Sequence, residues 1–310
     1  MVHRLLGGLA ALLLFLASCG EPTGSGPTPT GAPAAEVEYP VTITDDDGVR
    51  VTIEAEPQRI VTFAPSMTEI VFALGLGDRL VGVSGPFDDF PPEATGIEEV
   101  GGAGDFGVDP NVEKVVSLQP DLFLTIPGGD QWKQRLRDLG VPVVTLHADD
   151  LEDLVGDVER IGELAGVPEE GAAVAADIDA AIEDAVGSAD QVSCFFEVYY
   201  PPLTTVGPGT FIFDVLETAG CLPVTDDATS DYPEWSIEEL IADDPVIYVA
   251  TPESAKSERA IATRPGFGQL SAIREGHVLL IDGDLITRAG PRVVEGLRRL
   301  TGYVSSFAGR

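Results

Sequence analysis

The sequence predicts an α/β fold of two similar lobes, each built on a central parallel sheet and joined to the other by helix. Short apolar strands alternate with segments of helical apolar spacing from residue 59 onward, and this alternation is typical of doubly wound, Rossmann-like sheets. A repeat between the two halves of the chain is the second observation. Ligands of such sheets bind beyond the carboxyl ends of the strands, so two facing lobes predict a ligand cleft between them.

The repeat consists of a short helix followed by a strand, once in each half. Glu113 opens the helix in the first half and Pro120 precedes the strand; Glu238 and Pro245 take these places in the second half. Each glutamate stands seven residues before its proline. The two glutamates therefore occupy equivalent first turns, where a carboxylate also favours the helix dipole.

The N-terminal lobe is predicted to span residues 39–150 and to begin with a β-hairpin around an Asp-Gly turn. Apolar spacing then alternates between strand and helix. We expect Ser66 and Glu69 to form a capping box on the first helix and Gly75 to end that helix. The predicted strands are 59–63, 79–84, 122–125 and 141–146, and the predicted helices are 66–74, 112–117 and 132–139.

Residues 151–189 are predicted to be helical and to connect the lobes. Apolar residues recur at helical spacing from Leu151 to Leu164, and Pro168 opens a second, alanine-rich run. The alternation starts again in the C-terminal lobe, residues 190–310. Its predicted strands are 192–198, 246–250 and 277–281, and its predicted helices are 210–218, 237–241 and 291–307.

The N-terminal segment predicts export and lipid anchoring. Arg4 precedes an apolar run of about a dozen residues, which is too short to span a bilayer and matches the core of a signal peptide. The run ends in small residues and Cys19, which resembles the lipobox of bacterial lipoproteins. We therefore expect a signal peptide over 1–19, a lipidated Cys19 and a flexible tether over 20–38. The anchor would hold the protein at the outer face of the cytoplasmic membrane or in the periplasm.

Charge and histidine count disfavour several function classes. The net charge of −34 argues against nucleic-acid binding, which depends on clustered Lys and Arg. Outside the predicted signal peptide the histidines are His147 and His277, which are few for a zinc- or manganese-binding transport protein. Neither lies in a recognisable nucleophile motif. We expect no enzyme, no bound metal and no cofactor; a chelatase-like enzyme is the alternative from that class.

Two cysteines remain in the mature chain. Cys194 lies in an apolar strand and Cys221 follows a predicted helix, near the start of the next strand. Outside the cytosol such a pair can form a disulfide. The sequence leaves two interpretations open: a disulfide between Cys194 and Cys221, or two inert buried thiols.

A set of short motifs follows in a fixed order along the chain. The motifs are RIVTFAPSMTEI at 59–70, FALG at 72–75, VGV at 81–83, FPP at 90–92, VGG at 100–102, PDL at 120–122, GPGTF at 207–211 and GPR at 290–292. Together they resemble the family of periplasmic cobalamin- and iron-siderophore-binding proteins of ABC importers. The resemblance covers about residues 40 to 308 and rests on the ordered set, because no single motif would carry it.

The resemblance implies a substrate-binding protein that delivers a metal chelate to a complex of permease and ATPase, working as a monomer. It implies two lobes joined by a single long helix, which we expect at 169–186. In that family one exposed glutamate on each lobe docks on arginines of the permease. The matching positions hold Glu113 and Glu238, the two glutamates that the repeat makes equivalent.

The implied ligand is cobalamin, another corrinoid or a ferric siderophore, with heme as a further alternative. Cobalamin-binding relatives hold a planar macrocycle with aromatic side chains from both lobes. An anionic ferric chelate would instead need basic residues, and the candidates are Arg264 and Arg288. Because aromatic residues outnumber basic ones in the corresponding loops, a corrinoid is favoured. The aromatic candidates are Phe87, Phe90, Phe106, Tyr199, Tyr200, Tyr232 and Trp235.

Overall fold

A computed structural model describes residues 37–101, 109–188 and 191–307. The predicted signal peptide, Cys19, nearly all of the predicted tether and Phe106 lie outside these ranges. The chain divides into a unit of residues 1–34 and a compact unit of residues 35–310, and the description below concerns the second. None of the helices in the described ranges combines the length and the apolar character that crossing a membrane requires.

The predicted hairpin is present and is tied to the N-terminal lobe by its acidic turn. Its strands, β1 (Val41–Thr44) and β2 (Arg50–Ile53), are antiparallel. The turn carries Asp45, Asp46 and Asp47; Asp45 and Asp47 pair with Arg137 and Lys133 of the lobe, and Asp46 pairs with Arg160 of the following connecting helix. The closest of these pairs joins Asp47 Oδ2 to the buried Lys133 Nζ at 2.8 Å.

The N-terminal lobe contains a four-stranded parallel sheet in the order β4-β3-β5-β6. Its inner strands are buried on both faces, which explains their continuous apolar sequence. The second strand begins one residue later than predicted, because a 3-10 turn, Gly77–Arg79, precedes it, and it ends two residues earlier than predicted. The strands are β3 (Ile60–Phe63), β4 (Leu80–Gly82), β5 (Leu122–Thr125) and β6 (Val143–Thr145), and the helices are α1 (Pro65–Ala73), α2 (Val112–Ser117) and α3 (Asp130–Asp138).

Two helices, α4 (Leu151–Leu164) and α5 (Pro168–Ser188), connect the lobes. The second is the long helix expected over 169–186. The two helices pack closely where Gly162 faces Gly171, since a Cβ atom on Gly162 would lie 2.8 Å from the Cα of Gly171. A larger residue at Gly162 would push the helices apart.

The C-terminal lobe repeats the architecture with a parallel sheet in the order β10-β9-β7-β8. Three short helices that the sequence did not predict, at 258–262, 271–275 and 284–287, lie between its later elements. The strands are β7 (Val192–Glu197), β8 (Cys221–Pro223), β9 (Ile247–Ala250) and β10 (Val278–Leu280), and the helices are α6 (Phe211–Thr218), α7 (Ile237–Asp243), α8 (Glu258–Ala262), α9 (Ser271–Glu275), α10 (Asp284–Thr287) and α11 (Val293–Ser305).

The largest hydrophobic core runs through both lobes and the connecting helices. It includes Ile60 of β3, Leu154 of α4, Ile178 of α5, Phe196 of β7 and Leu297 of α11, all at most 1% exposed. Because this core is shared, separating the lobes would expose apolar surface to water.

The structure joins Cys194 and Cys221 by a disulfide, one of the two interpretations that the sequence left open. The two residues lie on neighbouring parallel strands, β7 and β8, with their Cα atoms 5.5 Å apart. Both side chains are fully buried.

The predicted capping box of α1 is wrong. Ala64 is the N-cap residue, no side chain caps the helix, and Pro65 is its first residue. The Glu69 side chain is buried and pairs instead with Arg288 and Arg292 of the C-terminal lobe. A buried carboxylate needs a counter-charge, so these long-range partners replace the local backbone bond that the sequence suggested.

Candidate functional site

A cleft of about 390 Å³ opens between the two lobes, at the carboxyl ends of their strands. We call it the interlobe cleft, and the N-terminal lobe forms one wall of it. Residues Ala64–Met67 of this wall follow β3, Ile126 follows β5, and Leu146, His147 and Asp149 follow β6. This is the position that open α/β sheets give to their ligands.

The opposite wall is formed by the C-terminal lobe. Thr210 caps α6 there, accepting a hydrogen bond from the Phe213 backbone N–H at 3.3 Å. The loop before α6 packs against the segment that carries Tyr232: the Gly207 N–H donates to the Asp231 carbonyl at 2.8 Å. A Cβ atom at Gly207 would lie 2.2 Å from the Ser230 carbonyl oxygen, so glycine is required for this close approach of the two segments.

His147 lies on the N-terminal wall, although sequence reasoning did not include it among the site residues. Its Nε2 lies 2.8 Å from Asp149 Oδ1. Its backbone N–H donates to Asp46 Oδ2 at 2.8 Å, so the hairpin turn fixes the start of the loop. The available signal was its position directly after a buried strand, where cleft residues are expected.

Of the aromatic candidates that lie in the described ranges, Tyr232 is the one that lines the interlobe cleft. Phe87, Phe90 and Tyr199 are also exposed to solvent. Tyr200 and Trp235 pack on the smaller core of the C-terminal lobe. Sequence alone could not separate exposed from packed aromatics, because both kinds stand in loops next to strands or helices.

The loop that carries Phe87 and Phe90 is anchored by the buried carboxylate of Asp88. This carboxylate accepts hydrogen bonds from the hydroxyl groups of Thr68 and Ser84 and from the Gly85 N–H. The Phe90 ring lies against the Arg292 guanidinium, 4.2 Å from its central carbon. The loop is therefore held beside the contact between the lobes.

Arg264 binds partners in the interior of its own lobe and does not line the interlobe cleft. It pairs with both carboxylate oxygens of the fully buried Glu197, and its guanidinium carbon lies 4.0 Å from the Tyr200 ring centre. Tyr248 donates its hydroxyl to the same carboxylate. Burial, together with that carboxylate, raises the pKa of Tyr248 well above its usual value.

Arg288 does line the interlobe cleft, but its charge is already paired. It contacts Glu69 at 3.1 Å and Asp284 at 2.9 Å, and Asp89 lies 3.7 Å away. Arg292 binds both oxygens of Glu69, at 2.6 and 2.9 Å. Glu69, Asp89, Asp284, Arg288 and Arg292 form the interlobe ion-pair cluster.

Three carboxylates line the interlobe cleft: Asp149, Asp157 and Asp231. Burial raises the pKa of Asp157 to about 7, and the nearby carboxylate of Asp46 adds to this effect. Asp157 also receives a hydrogen bond from Arg160 at 3.3 Å. The described ranges contain no cluster of three or more His, Cys, Asp or Glu side chains suited to a metal ion.

Glu113 and Glu238 occupy the equivalent first turns that the repeat predicts, and both are exposed. They differ in their surroundings. Glu113 pairs with Arg135 at 2.9 Å, whereas no ion pair joins Glu238 to another residue in the described part of the chain. The neighbouring Ser236 and Glu239 form the capping box of α7.

Comparison with known proteins assigns the chain to a family. The sequence model of the periplasmic binding protein family matches residues 60–285. An uncharacterized ABC transporter substrate-binding lipoprotein of Bacillus subtilis, YvrC, is 34% identical over 307 residues, covering 94% of each protein. A vitamin B12-binding protein of Vibrio cholerae is 28% identical over 256 residues, covering 80% of this chain and 89% of the relative.

Solved structures agree with this assignment. The periplasmic vitamin B12 binding protein BtuF of Vibrio cholerae matches with a TM-score of 0.72 and 26% identity, over 82% of this chain and 99% of that one. The heme-binding protein RhuT of Roseiflexus sp. RS-1 shares the fold, with a TM-score of 0.72 at 23% identity over 80% of this chain and 98% of its own. The predicted architecture of two α/β lobes with parallel sheets is confirmed, and the chain belongs to the periplasmic binding protein family.

Proposed function

We propose that this chain captures a corrinoid such as cobalamin outside the cytoplasmic membrane, as the lipid-anchored, non-enzymatic substrate-binding protein of an ABC importer. The observation that carries the proposal is the interlobe cleft, which opens at the carboxyl ends of both sheets. The role in an ABC importer agrees with the family and with the substrate-binding relative. The vitamin B12-binding relatives support the choice of a corrinoid.

The lining of the cleft suits a large ligand with an apolar face. Ile126 contributes exposed apolar surface from one lobe and Tyr232 contributes exposed aromatic surface from the other. The largely buried side chains of Met67, Leu146 and Phe211 also border the cleft. A macrocycle placed between the walls would bury its faces against these side chains, while its polar side groups remained near solvent.

Heme is the second candidate, and one observation favours it. His147 and Tyr232 line the cleft from opposite lobes. Imidazole and phenolate groups are both axial ligands of heme iron in proteins, and a heme-binding protein shares this fold. A heme held between the lobes could therefore receive its axial ligand from either wall.

Delivery to the permease would use Glu113 and Glu238. Both are exposed and stand at equivalent places on the two lobes. A permease with one arginine for each lobe would bind both glutamates at once, and two weak contacts held at a fixed separation reinforce each other.

The test is a calorimetric titration of residues 35–310 with cyanocobalamin, heme and a panel of ferric siderophores, in separate experiments. Tight one-to-one binding of cyanocobalamin supports the corrinoid proposal. Binding of heme alone, with an absorbance band that changes in His147→Ala or Tyr232→Phe, would replace the corrinoid by heme. Binding of a ferric siderophore alone would contradict both.

A further inference from the structure

The charges that line the interlobe cleft indicate which ligand charge it accepts. We propose that the cleft selects metal chelates that are neutral or positively charged and discriminates against anionic ones. The acceptable class contains corrinoids and hydroxamate chelates with a free ammonium group, and it excludes catecholate and carboxylate chelates of ferric iron. The inference rests on the proposed role of this cleft as the ligand site.

The first argument is the sign of the charges that line the cleft. Asp149 and Asp231 place carboxylates on opposite walls, and Asp157, whose pKa is about 7, adds a third that is partly ionised at neutral pH. Arg288 is the one Lys or Arg side chain among the described residues of the lining. A bound anion would therefore meet more negative than positive charge.

The second argument is that carboxylates of the protein already neutralise the charge of Arg288. In the interlobe ion-pair cluster, three carboxylates surround two guanidinium groups, and every Arg288 contact in the cluster is with a carboxylate. Binding a ligand anion there would mean breaking the pair with Glu69, which is almost fully buried. Glu69 would keep its pair with Arg292 but lose one of its two counter-charges, which is costly for a buried carboxylate, so Arg288 is a poor anion receptor.

The third argument is the depression that adjoins the cleft. It shares His147, Asp149 and Asp157 with the cleft, and its further acidic side chains face a single arginine, Arg160. Burial is the main cause of the raised pKa of Asp157, and the nearby carboxylates of Asp46 and Asp153 add to it, as a surplus of negative charge would. The further acidic side chains are Asp46, Glu152, Asp153 and Glu159.

These charges are large enough to select among ligands. For carboxylates partly exposed to water, each added negative charge on the ligand should weaken binding roughly threefold to tenfold at low salt. Salt screens such interactions, so the discrimination should shrink at high ionic strength. Heme, which has two propionate groups, would then bind less well than a neutral corrinoid unless both propionates point to solvent.

The experiment compares pairs of probes whose members differ chiefly in charge. Cyanocobalamin is titrated beside its monocarboxylate derivative, in which one side-chain amide has become a carboxylate. Ferrioxamine B, a cationic hydroxamate chelate, is titrated beside its N-succinyl derivative, which is anionic. Each titration uses residues 35–310 at about 20 mM and about 500 mM sodium chloride, where screening lengths differ severalfold.

Two isosteric variants assign the effect to the cleft. Asp231→Asn removes one charge from the lining, and Glu183→Gln removes one charge from an exposed position on α5 outside it. We expect the neutral or cationic member of a pair to bind roughly threefold to tenfold more tightly at low salt. High salt and Asp231→Asn should reduce the ratio, and Glu183→Gln should leave it unchanged.

Three results would overturn the inference: equal affinities within the pairs, a ratio that salt does not change, or tighter binding of a ferric tricatecholate than of ferrioxamine B. Failure of the corrinoid proposal is a separate result. It appears as no binding of cyanocobalamin, and the ferrioxamine pair then tests charge selection without any corrinoid.

Discussion

Glu69 of the N-terminal lobe and Arg292 of the C-terminal lobe form a bidentate ion pair, with N–O distances of 2.6 and 2.9 Å. Glu69 stands on α1, whose first residues line one wall of the interlobe cleft, and it also contacts Arg288 on the other wall. The pair therefore links the two walls directly. It joins the lobes in addition to the shared core and the connecting helices.

The first prediction concerns this link. Glu69→Gln would leave two guanidinium groups facing a neutral amide in a buried place. We expect the free energy of unfolding to fall by about 3 kcal/mol, as is usual when one partner of a buried ion pair is removed. The measurement is urea unfolding at pH 7.

A matched control is Glu295→Gln, which breaks an exposed pair with Arg299 on α11. Exposed pairs contribute less than about 1 kcal/mol. Equal losses in the two variants would show that Glu69 contributes no more than a surface carboxylate.

Glu69 also shows what the sequence could not predict. Ser66 and Glu69 have the spacing of a capping box, yet the partners of Glu69 stand more than 200 positions later in the chain. Arg264 is a similar case, because it lies in the loop after α8 and its partner Glu197 stands on β7, 67 positions earlier. Local spacing carries no information about such pairs.

The strands and helices themselves were predictable, because the cause of each one is local. Apolar periodicity and proline or glycine boundaries indicated both sheets and the connecting helices. The short helices α8 to α10 were missed, since four or five residues are too few to show a helical period. Within the site, Tyr232 and Arg288 were predicted and do line the cleft, whereas His147 was missed.

The second prediction is a pH dependence of stability that arises from Asp157. Its pKa is about 7 in the folded protein and near 3.8 in the unfolded chain. Between these values the folded state holds a proton that the unfolded state has lost, so this group lowers stability as pH rises. The loss is complete above the folded pKa, and each pH unit that separates the two pKa values accounts for at most about 1.4 kcal/mol of it.

Asp157→Asn keeps the shape of the protonated side chain and does not titrate. We expect this variant to gain stability over the parent protein as the pH rises from 4 to 7 and to keep that gain up to pH 8. Thermal unfolding at several pH values measures it, with Asp179→Asn on the exposed face of α5 as the control. A constant difference across this range would show that Asp157 titrates normally.

The third prediction concerns the disulfide. Cys194 and Cys221 are separated by 27 positions, and closing a loop of this length should stabilise the fold by about 3.5 kcal/mol. The double variant Cys194→Ser, Cys221→Ser should lose that amount in urea unfolding. Thiol titration of unfolded residues 35–310 without reductant should find no reactive cysteine. Two reactive thiols would mean that the pair is not oxidised.

The last prediction concerns delivery to the permease. Glu113→Ala and Glu238→Ala should each reduce uptake into vesicles that contain the transporter, while leaving ligand affinity unchanged. Docking through Glu113 should also depend on a neighbouring residue of this chain, because Glu113 pairs with Arg135. Both side chains of this pair are more than half exposed, so a permease arginine could replace Arg135 at small cost. Arg135→Ala should then strengthen docking by roughly twofold to fivefold, in line with the small energies of exposed pairs. A loss of docking in Arg135→Ala would instead show that this arginine holds Glu113 in the orientation the permease needs.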